Sequence, residues 1–125
     1  MDLRKLQKIV VSALEDIKGR DIEVINTSKL TSLFDRIVIA SGDSNRQVKA
    51  LARNVQEKVR EAGGEVISVE GEDQGEWVLV DLGDIVVHVM QPVTRAYYNL
   101  EELWQVTPAA RRKSVAEAEA ARAVA

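Results

Sequence analysis

Between Glu70 and Met90 the chain reads EGEDQGEWVLVDLGDIVVHVM, two stretches of alternating side chains joined near a glycine, and this pattern fits a β-hairpin. A two-residue turn at Leu82-Gly83 predicts Asp81 opposite Asp84, Leu79 opposite Val86 and Trp77 opposite His88. Successive strand residues point to opposite sides, so Val78, Val80, Ile85, Val87 and Val89 share one face. Trp77, Leu79, Asp81, Asp84, Val86, His88 and Met90 share the other. The first face is wholly aliphatic and suits a core. The second sets a Trp and a Leu among acids, which suits a docking surface, and neither a nucleophile, a metal cluster nor a phosphate loop accompanies it.

A length of 125 residues suits one domain with a core that needs no staple or metal. The chain contains no cysteine, which removes disulfides and thiolate zinc sites and fits a reducing compartment. Its apolar runs are short and Met1 is followed by Asp2-Leu3-Arg4-Lys5, so no membrane span or secretory segment is expected and a soluble cytoplasmic protein is. The net charge of -3 conceals a division. Residues 1–104 carry 13 basic and 18 acidic side chains, whereas residues 105–125 carry 4 and 2. Glu65, Glu70, Glu72, Asp73, Glu76, Asp81 and Asp84 lie in a segment without Lys or Arg, which repels phosphates and attracts a basic protein partner.

The remaining pattern predicts a mixed α+β sheet with helices mainly on one face. Leu3, Leu6, Val10, Ala13, Leu14 and Ile17 recur at helical spacing from Leu3 to Lys18, where Lys18-Gly19 ends the helix. Strands follow at Asp21 to Asn26 and Phe34 to Ala40. Ser44 then caps a helix whose buried stripe is Val48, Leu51, Ala52, Val55 and Val59, ending at Gly63-Gly64. A strand from Glu65 to Val69 precedes the hairpin, and Thr94 to Trp104 forms a terminal helix or two short turns. Residues 105–125, opening on Thr107-Pro108 and rich in Ala, read as a helical or mobile tail separate from the domain at 1–104.

The strongest hint of catalysis is Ser41-Gly42-Asp43-Ser44 leading into a helix, because exposed amides at a helix start bind phosphate. Metal-dependent nucleotidyl transfer uses a similar turn but needs Asp-x-Asp on the next strand, and here that strand reads Glu65-Val66-Ile67-Ser68-Val69-Glu70. Asp81 and Asp84 flank a tight turn and fit turn formation better than metal binding. His88 is the only histidine and suits a packed strand position rather than a general base. Trp104, spaced helically from Leu100, reads as core, while Trp77 shares a face with Asp81 and reads as partly exposed. Arg46, Lys49, Arg53 and Arg60 form the polar side of their helix without the interleaved aromatics of an RNA platform. No cofactor and no catalytic or metal residue is assigned.

Several separated blocks together resemble the ribosomal silencing factor (RsfS, or Iojap) family across the first 104 residues. They are Asp35-Arg36-Ile37-Val38-Ile39-Ala40-Ser41-Gly42, Ser44-Asn45-Arg46-Gln47-Val48, Glu70-Gly71 and Gly75 through Asp84, then Val86 through Met90 and Tyr98-Asn99-Leu100-Glu101-Glu102-Leu103-Trp104. The resemblance implies a nucleotidyltransferase-like fold without catalytic acids, and a binding protein rather than an enzyme. It implies attachment to the large ribosomal subunit through the ribosomal protein numbered fourteen, a block on small-subunit joining and repressed translation when nutrients are scarce. Organelle relatives act in large-subunit assembly; without a transit peptide, a bacterial cytoplasmic member is the expectation. Within that frame the face pattern selects Glu70, Trp77, Leu79 and Asp81 as contact residues, with Tyr98 and Glu102 beside them from the terminal helix. Arg111-Arg112-Lys113 in the tail is a candidate for a minor contact with ribosomal RNA. A metal-dependent nucleotidyltransferase, a role in large-subunit assembly and a purely structural homodimeric module are the alternative readings, and homodimerisation off the ribosome is itself compatible with silencing.

Overall fold

The computed structural model describes residues 1–104, and the tail at 105–125 with its Arg111-Arg112-Lys113 cluster lies outside them. The elements are α1 (Leu3–Asp16), β1 (Arg20–Asn26), β2 (Arg36–Ser41), α2 (Asn45–Glu61), β3 (Ser68–Glu70), β4 (Trp77–Asp81), β5 (Ile85–Met90), α3 (Pro92–Tyr98) and α4 (Leu100–Leu103). The five strands form one mixed sheet in the order β1-β2-β5-β4-β3. Only β2 and β5 run parallel, and the other neighbours are antiparallel.

Both long helices begin and end on groups that satisfy their terminal amides and carbonyls. Asp2 accepts from the Lys5 amide at 2.9 Å, and Ser44 accepts from the Gln47 amide at 3.1 Å, so each supplies the oxygen that a first helical turn lacks. At the other end of α2, Gly63 (φ +87°) donates to the Arg60 carbonyl and Gly64 to that of Val59. The paired bonds and the left-handed residue make a Schellman closure. α1 closes in the same way through Lys18 to Glu15 and Gly19 to Leu14, except that the left-handed position (φ +59°) is held by Lys18.

Between these ends the apolar stripes settle on the sheet. Leu6, Val10, Ala13 and Leu14 of α1 and Val48, Leu51, Ala52, Val55 and Val59 of α2 pack with Val38, Ala40, Val78, Val80, Leu82, Ile85, Val87 and Val89. Each Val or Leu so buried contributes about 2 kcal/mol before the entropy of ordering is charged against it. This is the aliphatic hairpin face anticipated from alternation, and the two long helices lie on it.

The hairpin register is corrected by two residues. Trp77 pairs with Met90, Leu79 with His88 and Asp81 with Val86, rather than with His88, Val86 and Asp84. The loop is Gly83-Asp84, closed by a bond from the Leu82 amide to the Ile85 carbonyl at 2.9 Å. Gly83 has φ +91°, which a two-residue hairpin loop requires at its first position, whereas Leu82 is needed in the core. A shift of two preserves parity, so every side chain keeps its expected face.

Boundaries differ elsewhere. β3 begins at Ser68 rather than Glu65, and α1 ends at Asp16 rather than Lys18. The terminal helix is two short ones broken at Asn99, which adopts φ +46°. They lie on the second face of the sheet, where Leu100, Tyr98 and Leu103 pack with Ile39, Met90, Ile25 and Trp77.

Candidate docking face

The second face is a grid fixed by strand register. One row runs Glu70, Leu79, His88, Ile39 and Glu23, and a second runs Trp77, Met90 and Ser41. A third runs Ser68, Asp81, Val86, Ile37 and Ile25. Because α3 and α4 pack on Ile39, Met90 and Ile25, they occupy the β1–β2–β5 side and reach only to Trp77. The β3–β4 side keeps Glu70 exposed and Leu79 and Asp81 half-buried.

Trp77 stands where the covered and open halves meet. Its indole Nε1–H donates to His88 Nδ1 at 2.9 Å, and Tyr98 lies against it with ring centroids 4.7 Å apart. Tyr97 meets Tyr98 edge-on at 4.9 Å, so four rings run in contact from the surface of α3 to the sheet. Such tilted and edge-on contacts suit the ring quadrupoles. Trp77 is half-buried, as its face implied, and Tyr98 borders it without enclosing it. His88 is buried and accepts a hydrogen bond, a packed strand histidine. Trp104 is buried edge-on against Phe34 at 5.3 Å, a core residue.

The carboxylates around this aromatic centre do different work. Asp81 accepts from the Gly83 amide at 2.9 Å, so it shapes the hairpin loop while remaining half-exposed. Glu102 is exposed and accepts from Asn99 Nδ2 at 2.6 Å, holding the left-handed residue that opens α4. Glu70 ends β3 opposite Leu79. The six residues selected from the sequence, Glu70, Trp77, Leu79, Asp81, Tyr98 and Glu102, thus belong to the second face or to the helices that border it. Two others, Val93 and Arg95, were not signalled by local pattern, and Tyr97, at helical spacing from Leu100, Leu103 and Trp104, lies outside the packed stripe. Val93 and Tyr97, one helical turn apart on α3, are 82% and 77% exposed, and Arg95 turns inward between them.

The Ser41–Ser44 turn is closed by its own side chains. The Asp43 amide donates to Gln47 Oε1 at 2.7 Å, the Gln47 amide is taken by Ser44, and the Asp43 carboxylate pairs with Arg20. An anion there would meet a carboxylate where amides should be. Among the described residues no group of three or more His, Cys, Asp or Glu is placed to hold a metal ion, and no helix is long and apolar enough to cross a membrane. Arg46, Arg53 and Arg60 are exposed on α2, and Lys49 is half-buried.

Together these features define an α+β domain whose second sheet face offers rings and carboxylates. The comparison with known proteins is in keeping: the model of the family described as ribosomal silencing factor during starvation, RsfS, matches residues 1–125. The chain belongs to that family. It is 59% identical over 104 residues to the ribosomal silencing factor RsfS of Chromobacterium violaceum, covering 83% of this chain and 85% of that one. The RsfS of Bacillus subtilis is 40% identical over 110 residues, 88% and 93% of the two chains. A crystal structure of a Chromobacterium violaceum protein superposes with a TM-score of 0.83 at 57% identity, covering 86% of this chain and 89% of that one.

Proposed function

We propose that this chain is a cytoplasmic silencing factor that binds the large ribosomal subunit through the ribosomal protein numbered fourteen and prevents the small subunit from joining, lowering translation under nutrient limitation. Family membership supports the ribosomal setting. The observation that carries the surface is the Trp77–Tyr98 ring pair on the face that also carries Leu79, Glu70 and Asp81, with Glu102 on the adjoining α4. Aromatic anchors in a partly desolvated centre with a charged rim are how most protein interfaces concentrate affinity. Acidic rims also orient a basic partner and speed its encounter. Tyr97 and Val93 extend the apolar centre along α3.

The mechanism is occupancy and requires no chemistry. Holding free large subunits to about one tenth requires the factor at roughly ten times its Kd, a bias of about 1.4 kcal/mol. We read the sheet as nucleotidyltransferase-like with the paired metal-binding acids absent, since β3 carries Ser68-Val69-Glu70. Sedimentation of purified subunits with this protein, at magnesium levels that promote joining, tests the proposal. Co-sedimentation with the large subunit and loss of joined ribosomes are expected. Undiminished joining with the protein left at the top of the gradient would refute it, and burial of the Trp77 face in a homodimer would then become the leading reading.

A further inference from the structure

We infer that Arg95 is a positioning residue: it holds α3 and α4 on the sheet so that Tyr98 is preset against Trp77 before any partner arrives. The functional half of this inference rests on the docking reading above. α3 has seven residues, none of them buried, and α4 has four, with Leu100 alone buried. Helices this short do not persist on backbone bonds alone. The outward side of α3 carries Val93 and Tyr97, so hydrophobic burial does not fix how the helix is turned about its axis.

Arg95 supplies what burial does not. Its Nε donates to Glu101 Oε1 of α4 at 2.6 Å and its Nη1 donates to Ser41 Oγ of β2 at 2.9 Å. Its Nη2 lies 3.8 Å from Glu23 Oε2 of β1. Each guanidinium nitrogen thus serves a different element, and the group is planar, so the three partners fix its plane as well as its place. The Arg95 side chain is 13% exposed and that of Glu101 20%, which limits screening by water and salt. Arg95 and Tyr98 stand three residues apart and so share a side of α3. Ser41 and Trp77 stand in one row of the grid, with fully buried Met90 between them. Anchoring Arg95 at Ser41 therefore lays Tyr98 back across Met90 towards Trp77.

The test uses the full chain with Arg95→Met, and with Glu101→Gln, which weakens the same contact from the other side if the first variant folds poorly. Amide exchange is compared between residues 92–104 and strands β2 and β5. The Trp77 indole N–H resonance, told apart from that of Trp104 by Trp77→Phe, reports the Tyr98 ring. Exchange in 92–104 is expected to quicken at least about tenfold with β2 and β5 unchanged, and the indole resonance to shift. A segment docked for about one tenth of the time lowers apparent affinity about tenfold, so large-subunit binding should weaken in step with the docked fraction. Unchanged exchange and an unmoved indole signal in a folded Arg95→Met protein would overturn the inference. An indole resonance moved to its undocked position, with unaltered affinity, would overturn the presetting role in docking. If the wild-type chain does not bind the large subunit, the docking reading fails by itself, and the exchange and indole comparison still decides whether Arg95 holds the helices.

Discussion

Gly63 and Gly71 form a matched pair from which the steric fit behind Trp77 is measurable. Their φ angles are nearly identical, at +87° and +86°. A methyl group on Gly63 meets nothing within 4 Å, whereas on Gly71 it would lie 2.0 Å from the backbone oxygen of Trp77. Placing an L residue in the left-handed region costs about 1–2 kcal/mol, partly offset by about 0.4–1 kcal/mol from the stiffer unfolded chain. Gly63→Ala should therefore lose about 1 kcal/mol. Gly71→Ala carries the same conformational term, and must also open its contact by about 1 Å through backbone distortion, a further 2 kcal/mol or more. A total of about 3 kcal/mol corresponds to a fall in Tm of roughly 12–24 °C for a domain of this size. Urea unfolding of both variants gives the difference directly. Because the displaced group is the Trp77 peptide, folded Gly71→Ala should also bind the large subunit more weakly than folded Gly63→Ala. Equal stability losses in the two variants would refute the reasoning, since the loop after β3 would then yield freely.

Three further outcomes are expected. Trp77→Ala should cost about 2 kcal/mol or more in large-subunit affinity, roughly thirtyfold by equilibrium binding, and an unchanged affinity in a folded variant would remove Trp77 from the interface. The association rate should fall as salt rises, and Glu70→Gln combined with Glu102→Gln should flatten that dependence in stopped-flow measurements; a rate indifferent to both would exclude steering by the acidic rim. Lys18→Gly should stabilise the fold by up to about 1 kcal/mol by relieving the left-handed residue at the end of α1, seen as a higher urea midpoint, and a lower midpoint would mean that the Lys18 side chain contributes more than its backbone costs.

How much of this was legible in the sequence depended on whether information was local. The two hairpin faces were readable because alternation survives any even shift of register, and the stripes of α1 and α2 were readable because their period is built into each helix. The turn was misplaced by one residue because Leu82-Gly83 and Gly83-Asp84 both offer a glycine. Only the demand for Leu82 in the core, and for positive φ at the first loop position, separates them. For the candidate face, the position of Trp77 and Leu79 beside Asp81 followed from parity. The approach of Tyr98 to Trp77 did not, since it depends on a break at Asn99 and on Arg95 meeting Ser41 and Glu23, residues 54 and 72 positions away in the chain.

The hairpin loop at Gly83-Asp84 also bears on safety. Along β4, valines committed to the interior are interleaved one by one with the residues offered to solvent, so the strand carries two messages in alternate letters. A slip of one position would exchange them, turning a row of valines outward beside the short β3 edge and driving Asp81 into the interior. The protein would lose its partner and acquire an aggregation-prone flank in the same step. A loop that admits only one parity, with glycine at a positive φ that a side chain would strain and Asp81 bonded to its amide, thus guards the cell against the strand as much as it serves recognition.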